Sequence, residues 1–289
     1  MKDLRSISPS TQFCMVIGNP ISHSLSPAIH NAAYQALDLD FVYVACQVAD
    51  VQNALAGMRA LSNFRGMSIT IPHKIAAMQY VDEINEVDRR IGSINTVVHE
   101  SDKLVGLGTD GPGALKALSD AGVTLTGKQV LMLGAGGAAR AIAFPLVCDS
   151  SPARLTLLDI NEALLHGLSR DLKSRSDTSI QSEMYTEDTL ARNMDEADVI
   201  IHCTSVGMHP NLDATLVPQQ FFRPGQVVFD VVYTPLETRL LADARAKGLQ
   251  VISGVEMFVN QAVLQFEQFT GVDAPVEVMR KVVMEHLQA

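Results

Sequence analysis

The sequence lacks the features that would commit a chain to nucleic acid, membrane or metal. Its 289 residues carry 22 Lys and Arg against 32 Asp and Glu, a formal charge of −10, with no lysine- or arginine-rich run. Polyanions and anionic membrane surfaces are therefore poor partners. No stretch approaches the roughly 18 apolar residues that crossing a bilayer takes, and the polar opening Met1–Thr11 has no apolar signal-peptide core. Four cysteines, Cys14, Cys46, Cys148 and Cys203, are scattered without a C-x-x-C pair or a small-scaffold spacing. That pattern argues against zinc and for thiols in a cytoplasmic protein. There is no internal repeat or low-complexity tract. What is present is 47% hydrophobic residues, enough for sizeable cores in one large or two medium domains. A small polar molecule is the partner this composition fits, with monomer and homodimer both open.

Short apolar runs alternate with helical patterns from Phe13 onward. The spacing predicts strands at Phe13–Ile17, Phe41–Gln47 and Gly66–Thr70, and helices at Pro27–Leu37 and Val51–Leu61. Ser26 stands as a cap and Pro27 at the first helical position. This rhythm reads as α/β layers with parallel pairing. Ser93–Glu100 and Lys103–Leu107 read as extended segments joined by a polar turn. A second unit opens near Asp110, with a helix over Gly111–Ala121 stopped by Gly122. Strands at Gln129–Leu133, Arg154–Leu158, Val199–His202 and Val227–Val231 then alternate with helices at Gly136–Cys148 and Glu162–Ser174, the order of a doubly wound nucleotide-binding domain. Further helices are expected at Glu237–Lys247, Val255–Phe269 and Val276–Leu287.

Gly134-Ala135-Gly136-Gly137-Ala138-Ala139 places G-x-G-x-x-A at a strand-to-helix junction. Gly134 allows the tight turn, Gly136 the approach of backbone to a pyrophosphate, and Ala139 close packing of the helix, whose first amides face the anion. Asp159 ends the next strand about 20 residues on, the position of a ribose-binding acid. A carboxylate there accepts from both ribose hydroxyls and repels a 2′-phosphate, and neither Ile160 nor Asn161 supplies a compensating cation. NAD is accordingly expected over NADP, with NADP still admissible.

In Ser68-Ile69-Thr70-Ile71-Pro72-His73-Lys74, Pro72 reads as the first residue of a helix, which puts Lys74 in its opening turn. The positive end of the helix dipole disfavours a cation there, and an amine so placed is suited to proton transfer. A solvated surface lysine is the plainer reading of the same position. Ser24 and Ser26 precede a helix start, where hydroxyls and amides together suit an anion, although Ser26 also serves simply as a cap. Asp110 likewise reads as a helix cap before Gly111. His73 adjoins Lys74, whereas His23, His30, His202 and His209 have no metal-ligand spacing, and ordinary structural roles are expected for them.

Taken together, Gly18–Pro27, Thr70–Lys74, Ile94-Asn95-Thr96, Thr109-Asp110-Gly111, Gly134–Ala139, Thr204–Met208, Asp230–Pro235 and Gly254 through Gln261 resemble, in order and across nearly the whole chain, the shikimate dehydrogenase family with its quinate/shikimate branch. The resemblance implies a substrate-binding and catalytic domain over residues 1–109, completed by C-terminal helices over 255–289. It also implies a Rossmann-type NAD(P)-binding domain over 110–254. The site residues carried over are Lys74 and Asp110 as the catalytic pair. Ser24 and Ser26 would bind a carboxylate, and Thr70, Asn95, Tyr233 and Gln261 the carboxylate or ring hydroxyls. Gly134, Ala135, Gly136, Gly137, Ala138 and Asp159 would hold the dinucleotide, with Thr204, Met208, Val231 and Gly254 at its nicotinamide end. The implied activity is reversible hydride transfer between shikimate, or quinate, and its 3-dehydro form.

Three positions depart from the family pattern: Gly108 and Ser68, where asparagine is usual, and Glu256, where a small residue is common. The loss of two amides near the substrate points to altered recognition of ring hydroxyls. Two other readings stay open at this level: a nucleotide- and metabolite-binding regulatory paralogue without turnover, and a dehydrogenase of another cyclic hydroxy acid.

Overall fold

The computed structural model describes residues 7–288; Met1–Ser6, part of the polar opening stretch, and Ala289 lie outside the described residues. The chain divides into two units, one running up to Thr109 and resuming over Gln261–Leu287, the other spanning Asp110–Asn260.

The first unit contains β1 (Gln12–Gly18), α1 (Ser26–Ala36), β2 (Phe41–Gln47), α2 (Val51–Arg59), β3 (Phe64–Ile69), β4 (Glu83–Ile84), α3 (Glu86–Ile91), β5 (Thr96–Glu100) and β6 (Lys103–Leu107). Its sheet has the order β2-β1-β3-β5-β6-β4. Parallel pairing holds for β1 with β2 and β3 and for β4 with β6, but β5 runs antiparallel to both β3 and β6. The parallel pairing expected of the first three strands holds, and the two extended segments joined by a polar turn form an antiparallel hairpin, as their turn explains. Ser101 and Asp102 both have positive φ, 48° and 65°, the backbone of a two-residue hairpin, which joins antiparallel strands. Met15, Ile17, Leu55, Phe64, Met67, Ile69, Val97 and Leu104 form the core on one face.

A correction falls on the segment around Lys74. No α-helix opens at Pro72: the Ile71–Pro72 bond is cis, and turns lead to one 3-10 turn at Ala76–Gln79. An α-helix would give the Lys74 carbonyl to the Met78 amide. Instead it accepts from the Ile94 amide at 3.0 Å, and the Met78 amide donates to the Ile75 carbonyl at 3.3 Å. The helix-dipole argument drawn from the sequence therefore does not apply to Lys74.

The second unit contains α4 (Asp110–Asp120), β7 (Gln129–Leu133), α5 (Gly137–Asp149), β8 (Arg154–Asp159), α6 (Glu162–Lys173), β9 (Ser179–Met184), α7 (Glu187–Glu196), β10 (Val199–His202), β11 (Val227–Asp230), α8 (Arg239–Ala246) and β12 (Gln250–Ile252). All six strands are parallel, in the order β9-β8-β7-β10-β11-β12. That is the doubly wound arrangement in which the strand order reverses between β7 and β10. Leu131, Leu133, Leu158, Ile200 and Val228 carry the core beneath α7 and α8. β9 and α7 escape the periodicity because they are polar: β9 buries only Ile180, and α7 only Leu190, Asn193 and Met194.

The last helices are α9 (Gly254–Thr270) and α10 (Val276–Leu287). From Gln261 onward α9 belongs to the first unit, where α10 packs against α1. Gly66 on β3 makes room for α9: a Cβ there would stand 2.5 Å from Cε1 of Phe269. Among the described residues, no helix is long and apolar enough to cross a membrane.

Candidate active site

In the first unit the C-terminal ends of β1 and β3 lie side by side. The Thr70 amide donates to the Ile17 carbonyl and the Asn19 amide to the Ile71 carbonyl, each at 3.0 Å. A Cβ at Gly18 would stand 2.6 Å from Thr70 Cγ2, so glycine is what lets the loop from Gly18 to Leu25 cross Thr70. Within that loop the Ser24 amide bonds to the Ile21 carbonyl at 3.1 Å, and Ser24 Oγ accepts from the Ser26 amide at 3.3 Å. Ser26 is the first helical residue, and α1 has no side-chain cap. The cap expected at Ser26 is thus replaced by a bond from its own amide to Ser24.

Lys74 joins the same neighbourhood through its main chain, since its carbonyl holds the Ile94 amide beside Asn95. The Ile69 amide donates to the Asn95 carbonyl at 2.7 Å. The Asn95 side chain donates from Nδ2 to Thr109 Oγ1 at 3.0 Å and accepts at Oδ1 from the Thr109 amide at 2.8 Å. Thr109 Oγ1 lies 3.5 Å from Gln261 Oε1 on α9. Thr70, Lys74, Asn95 and Gln261 thus meet in one hydrogen-bonded neighbourhood, with Thr109 as a member not assigned from the sequence.

Two of the three departures have local explanations. Ser68 is buried, and its hydroxyl donates to Gln265 Oε1 at 2.6 Å while accepting from the Tyr43 phenol at 2.6 Å. A side-chain amide therefore stands beside position 68, but it comes from α9. At Gly108 a Cβ would meet Asp88 Oδ1 at 2.5 Å, and the Gly108 amide donates to Asp88 Oδ2 at 2.9 Å. The carboxylate from α3 occupies the place where a longer residue would begin. Glu256 sits in the first turn of α9, where the helix dipole favours an acid.

In the second unit the glycine-rich turn leaves β7 tightly. Gly134 has φ +110° and donates its amide to the Leu158 carbonyl at 2.7 Å, and a Cβ there would stand 3.0 Å from the Cys203 carbonyl. Gly136 and Gly137 differ: nothing lies within 4 Å of where their Cβ atoms would stand. Gly136 is the N-cap of α5 and provides no side-chain cap, so the opening amides face a clear space bordered by Gly137 and Ala138. A pyrophosphate fits that surface by charge and by room. Asp159 accepts from the Ala135 amide at 2.5 Å through Oδ2 and from the Asn161 amide at 2.7 Å through Oδ1. One backbone bond on each oxygen leaves further acceptor capacity on both.

At the ends of β10 and β11 a buried polar group orders the next loops. His202 Nδ1 is 2.8 Å from Asp230 Oδ1 and its Nε2 is 2.5 Å from Thr204 Oγ1. Asp230 also accepts from the Val232 amide at 3.0 Å and from Thr238 Oγ1 at 2.6 Å. Neither His202 nor Asp230 was assigned a site role from the sequence. The sign was a His and an Asp each closing a buried strand. Thr204 is held by this group, the Met208 amide turns back to the Ser205 carbonyl at 3.1 Å, and the Val231 amide bonds to the His202 carbonyl at 3.0 Å. Gly254 packs directly on the Val231 and Val232 carbonyls, where a Cβ would collide with backbone. Tyr233 stacks on Phe258, with ring centroids 4.7 Å apart. Asp110 is the first residue of α4 rather than a cap preceding it, and Gly111 lets α4 lie against Pro145 of α5.

Comparison with known proteins adds an independent line. The family model described as the shikimate dehydrogenase substrate binding domain matches residues 16–97, and that of the shikimate 5'-dehydrogenase C-terminal domain matches residues 254–284. The chain is 42% identical to a shikimate dehydrogenase (NADP(+)) of Moorella thermoacetica over 98% of its own length and 96% of the relative's. It is 43% identical to the corresponding Methanosarcina mazei protein, covering 95% and 98%. Among solved structures, Listeria monocytogenes shikimate 5-dehydrogenase in complex with shikimate and NAD superimposes with a TM-score of 0.92 at 33% identity, covering 98% of this chain and all of that one.

Proposed function

Because the chain belongs to the shikimate dehydrogenase family, we propose that it interconverts shikimate and 3-dehydroshikimate by reversible hydride transfer with a nicotinamide dinucleotide, and that NAD is the preferred one. The observation that carries the reading is the gathering of three stretches far apart in sequence, Thr70 with Lys74, Asn95, and Gln261, around one set of hydrogen bonds. The unit ending at Thr109 takes the hydroxy acid, and the unit from Asp110 takes the dinucleotide.

Ser24 and Ser26 hold the substrate carboxylate at the start of α1, where hydroxyls and helix amides act together on an anion. Thr70, Asn95, Tyr233 and Gln261 bind the carboxylate or the ring hydroxyls. Lys74 and Asp110 act on the reacting hydroxyl: its proton must leave as the C–H hydride departs, and an amine and a carboxylate are both groups that can carry it. The dinucleotide supplies the hydride acceptor. Gly134, Ala135, Gly136, Gly137 and Ala138 seat its pyrophosphate, while Thr204, Met208, Val231 and Gly254 border the nicotinamide.

The preference for NAD rests on Asp159. Its two oxygens retain capacity for the ribose hydroxyls, and its charge opposes a 2′-phosphate. The relatives named above are NADP(+) enzymes, whereas the Listeria structure carries NAD, so the dinucleotide is decided by measurement on this chain. Steady-state kinetics at 340 nm with shikimate and quinate, each with NAD and NADP, tests both parts. Shikimate with NAD is expected to give the highest kcat/KM. Equal or better efficiency with NADP removes the cofactor assignment, and silence on both acids removes the activity.

A further inference from the structure

A continuous line of buried hydrogen bonds runs from β2 to the Asn95 side chain. The Tyr43 phenol donates to Ser68 Oγ at 2.6 Å, and Ser68 Oγ donates to Gln265 Oε1 at 2.6 Å. Gln265 Nε2 donates to Thr96 Oγ1 at 2.9 Å, and Thr96 Oγ1 donates to Asn95 Oδ1 at 2.9 Å. Gln265 Nε2 also lies 3.4 Å from the Asn95 carbonyl. Ser68, Thr96 and Gln265 are each 5% exposed or less.

The direction of this line is fixed at its Asn95 end. Burial pushes the Tyr43 phenol up from its ordinary range, so at neutral pH it keeps the proton that it donates to Ser68 Oγ. At the far end the Thr109 amide, which can only donate, meets Asn95 Oδ1 at 2.8 Å. Asn95 Oδ1 therefore receives two close donors, Thr96 Oγ1 and the Thr109 amide, with Thr109 Oγ1 further out at 3.3 Å, and these take up its acceptor capacity. Whatever the Asn95 amide offers a ligand, it offers as a donor.

We propose that Gln265 and Ser68 are positioning residues for substrate recognition: through Thr96 they lock the Asn95 amide in the orientation that presents N–H, and so select a ring hydroxyl that accepts at that point. The proposal rests on the reading of Asn95 as a substrate contact. In a low-dielectric interior such a line acts as a unit, because a hydroxyl that loses its donor turns to another partner. Without Gln265 Nε2, the Thr96 hydroxyl has no fixed direction, with Thr109 Oγ1 at 3.5 Å as an alternative partner.

Steady-state kinetics of Gln265→Met, Ser68→Ala and their combinations with Asn95→Ala provide the test. Gln265→Met keeps side-chain length but neither donates nor accepts. Its kcat/KM for shikimate is expected to fall about tenfold, chiefly through KM, with kcat and the KM of the dinucleotide within about twofold. Ser68→Ala, the milder lesion, gives the same pattern at about threefold and replaces Gln265→Met should that variant fail to fold. In the Asn95→Ala background neither change lowers kcat/KM further, because the group they position is gone; an effect through general loosening of the fold would persist. Wild-type kinetics in both variants, or an undiminished loss in the Asn95→Ala background, overturns the proposal. Wild-type kcat/KM in Asn95→Ala itself removes instead the reading of Asn95 on which the proposal stands.

Discussion

The two units solve different problems with the same α/β material. In the second, six parallel strands follow a repeating order, and the polar groups at their ends are tied within the same strand end or to the next strand or two in the repeat: Asp159 to Asn161 and Ala135, His202 to Thr204 and Asp230, Asp230 to Val232. In the first, a mixed sheet carries polar groups tied across long stretches of chain: Ser68 to Gln265, Thr96 to Gln265, Thr109 to Gln261. A surface for a common dinucleotide is thus generated by a supersecondary repeat. A surface for one particular hydroxy acid is assembled from single long-range bonds. Lesions in the first unit are expected to change chemistry and recognition of the acid, and lesions in the second, Asp110 and Tyr233 apart, affinity for the dinucleotide.

The largest expected effect tests that division directly. Lys74→Ala should lower kcat by about 10² to 10⁴, the contribution typical of a positioned acid–base group, while the Kd of the dinucleotide stays within about twofold. Turnover retained within a few-fold would remove Lys74 from the chemistry. A parallel collapse of dinucleotide affinity would break the comparison instead, by showing that the two functions are not carried separately.

The same contrast governs what the sequence made legible. Strands Gln129–Leu133 and Val199–His202 are buried runs of apolar residues between turn signals, and the structure has them at those limits. The glycine turn and Asp159 were readable for the same reason, as local motifs in a local context. The fold at Lys74 was not, because a carbonyl taken by Ile94 leaves no trace in the spacing of residues 72–79. Nor were Gln265 and Thr109 assigned, although Gln261 and Gln265 stand four apart on an otherwise apolar stretch of α9, a spacing that puts both on one helix face. Asp88 opposite Gly108 was invisible in another way: each looks ordinary alone, and only their contact explains the missing side chain.

A buried histidine in each unit gives a second, smaller effect. His202 has partners at both ring nitrogens. His30 is fully buried, stacks on Tyr43 with centroids 4.3 Å apart, and has no hydrogen-bond partner at either nitrogen among the described residues. Burial lowers its pKa from 6.5 to about 3. The unfolded chain therefore binds a proton that the folded chain refuses between those values, so stability is lost as pH falls from 6.5 towards 3. The slope approaches about 1.4 kcal/mol per pH unit below pH 6.5, or roughly 2 kcal/mol between pH 6.5 and 4.5. Urea unfolding of wild type and His30→Phe across that range measures it. The variant keeps an aromatic ring against Tyr43 and should show the shallower decline, whatever its stability at pH 7. Equal slopes would mean that His30 is protonated in the folded protein.

The smallest effect sharpens the comparison inside the second unit, where two glycines have opposite reasons to exist. Gly254 is required by the protein, since a Cβ there would collide with the Val231 and Val232 carbonyls. Gly136 is not: its φ of −75° suits any residue, and nothing lies within 4 Å of its missing Cβ. If a dinucleotide is what keeps that space clear, Gly136→Ala should fold with an unchanged urea midpoint while its Kd for NAD rises about tenfold, as the backbone can no longer approach the pyrophosphate. Gly254→Ala should do the reverse in order, losing stability first and affinity only as a consequence of the shifted loop. The two measurements, a midpoint and a Kd for each variant, separate a glycine kept for packing from one kept for a ligand. An unchanged Kd in Gly136→Ala would place the pyrophosphate elsewhere than on the opening amides of α5.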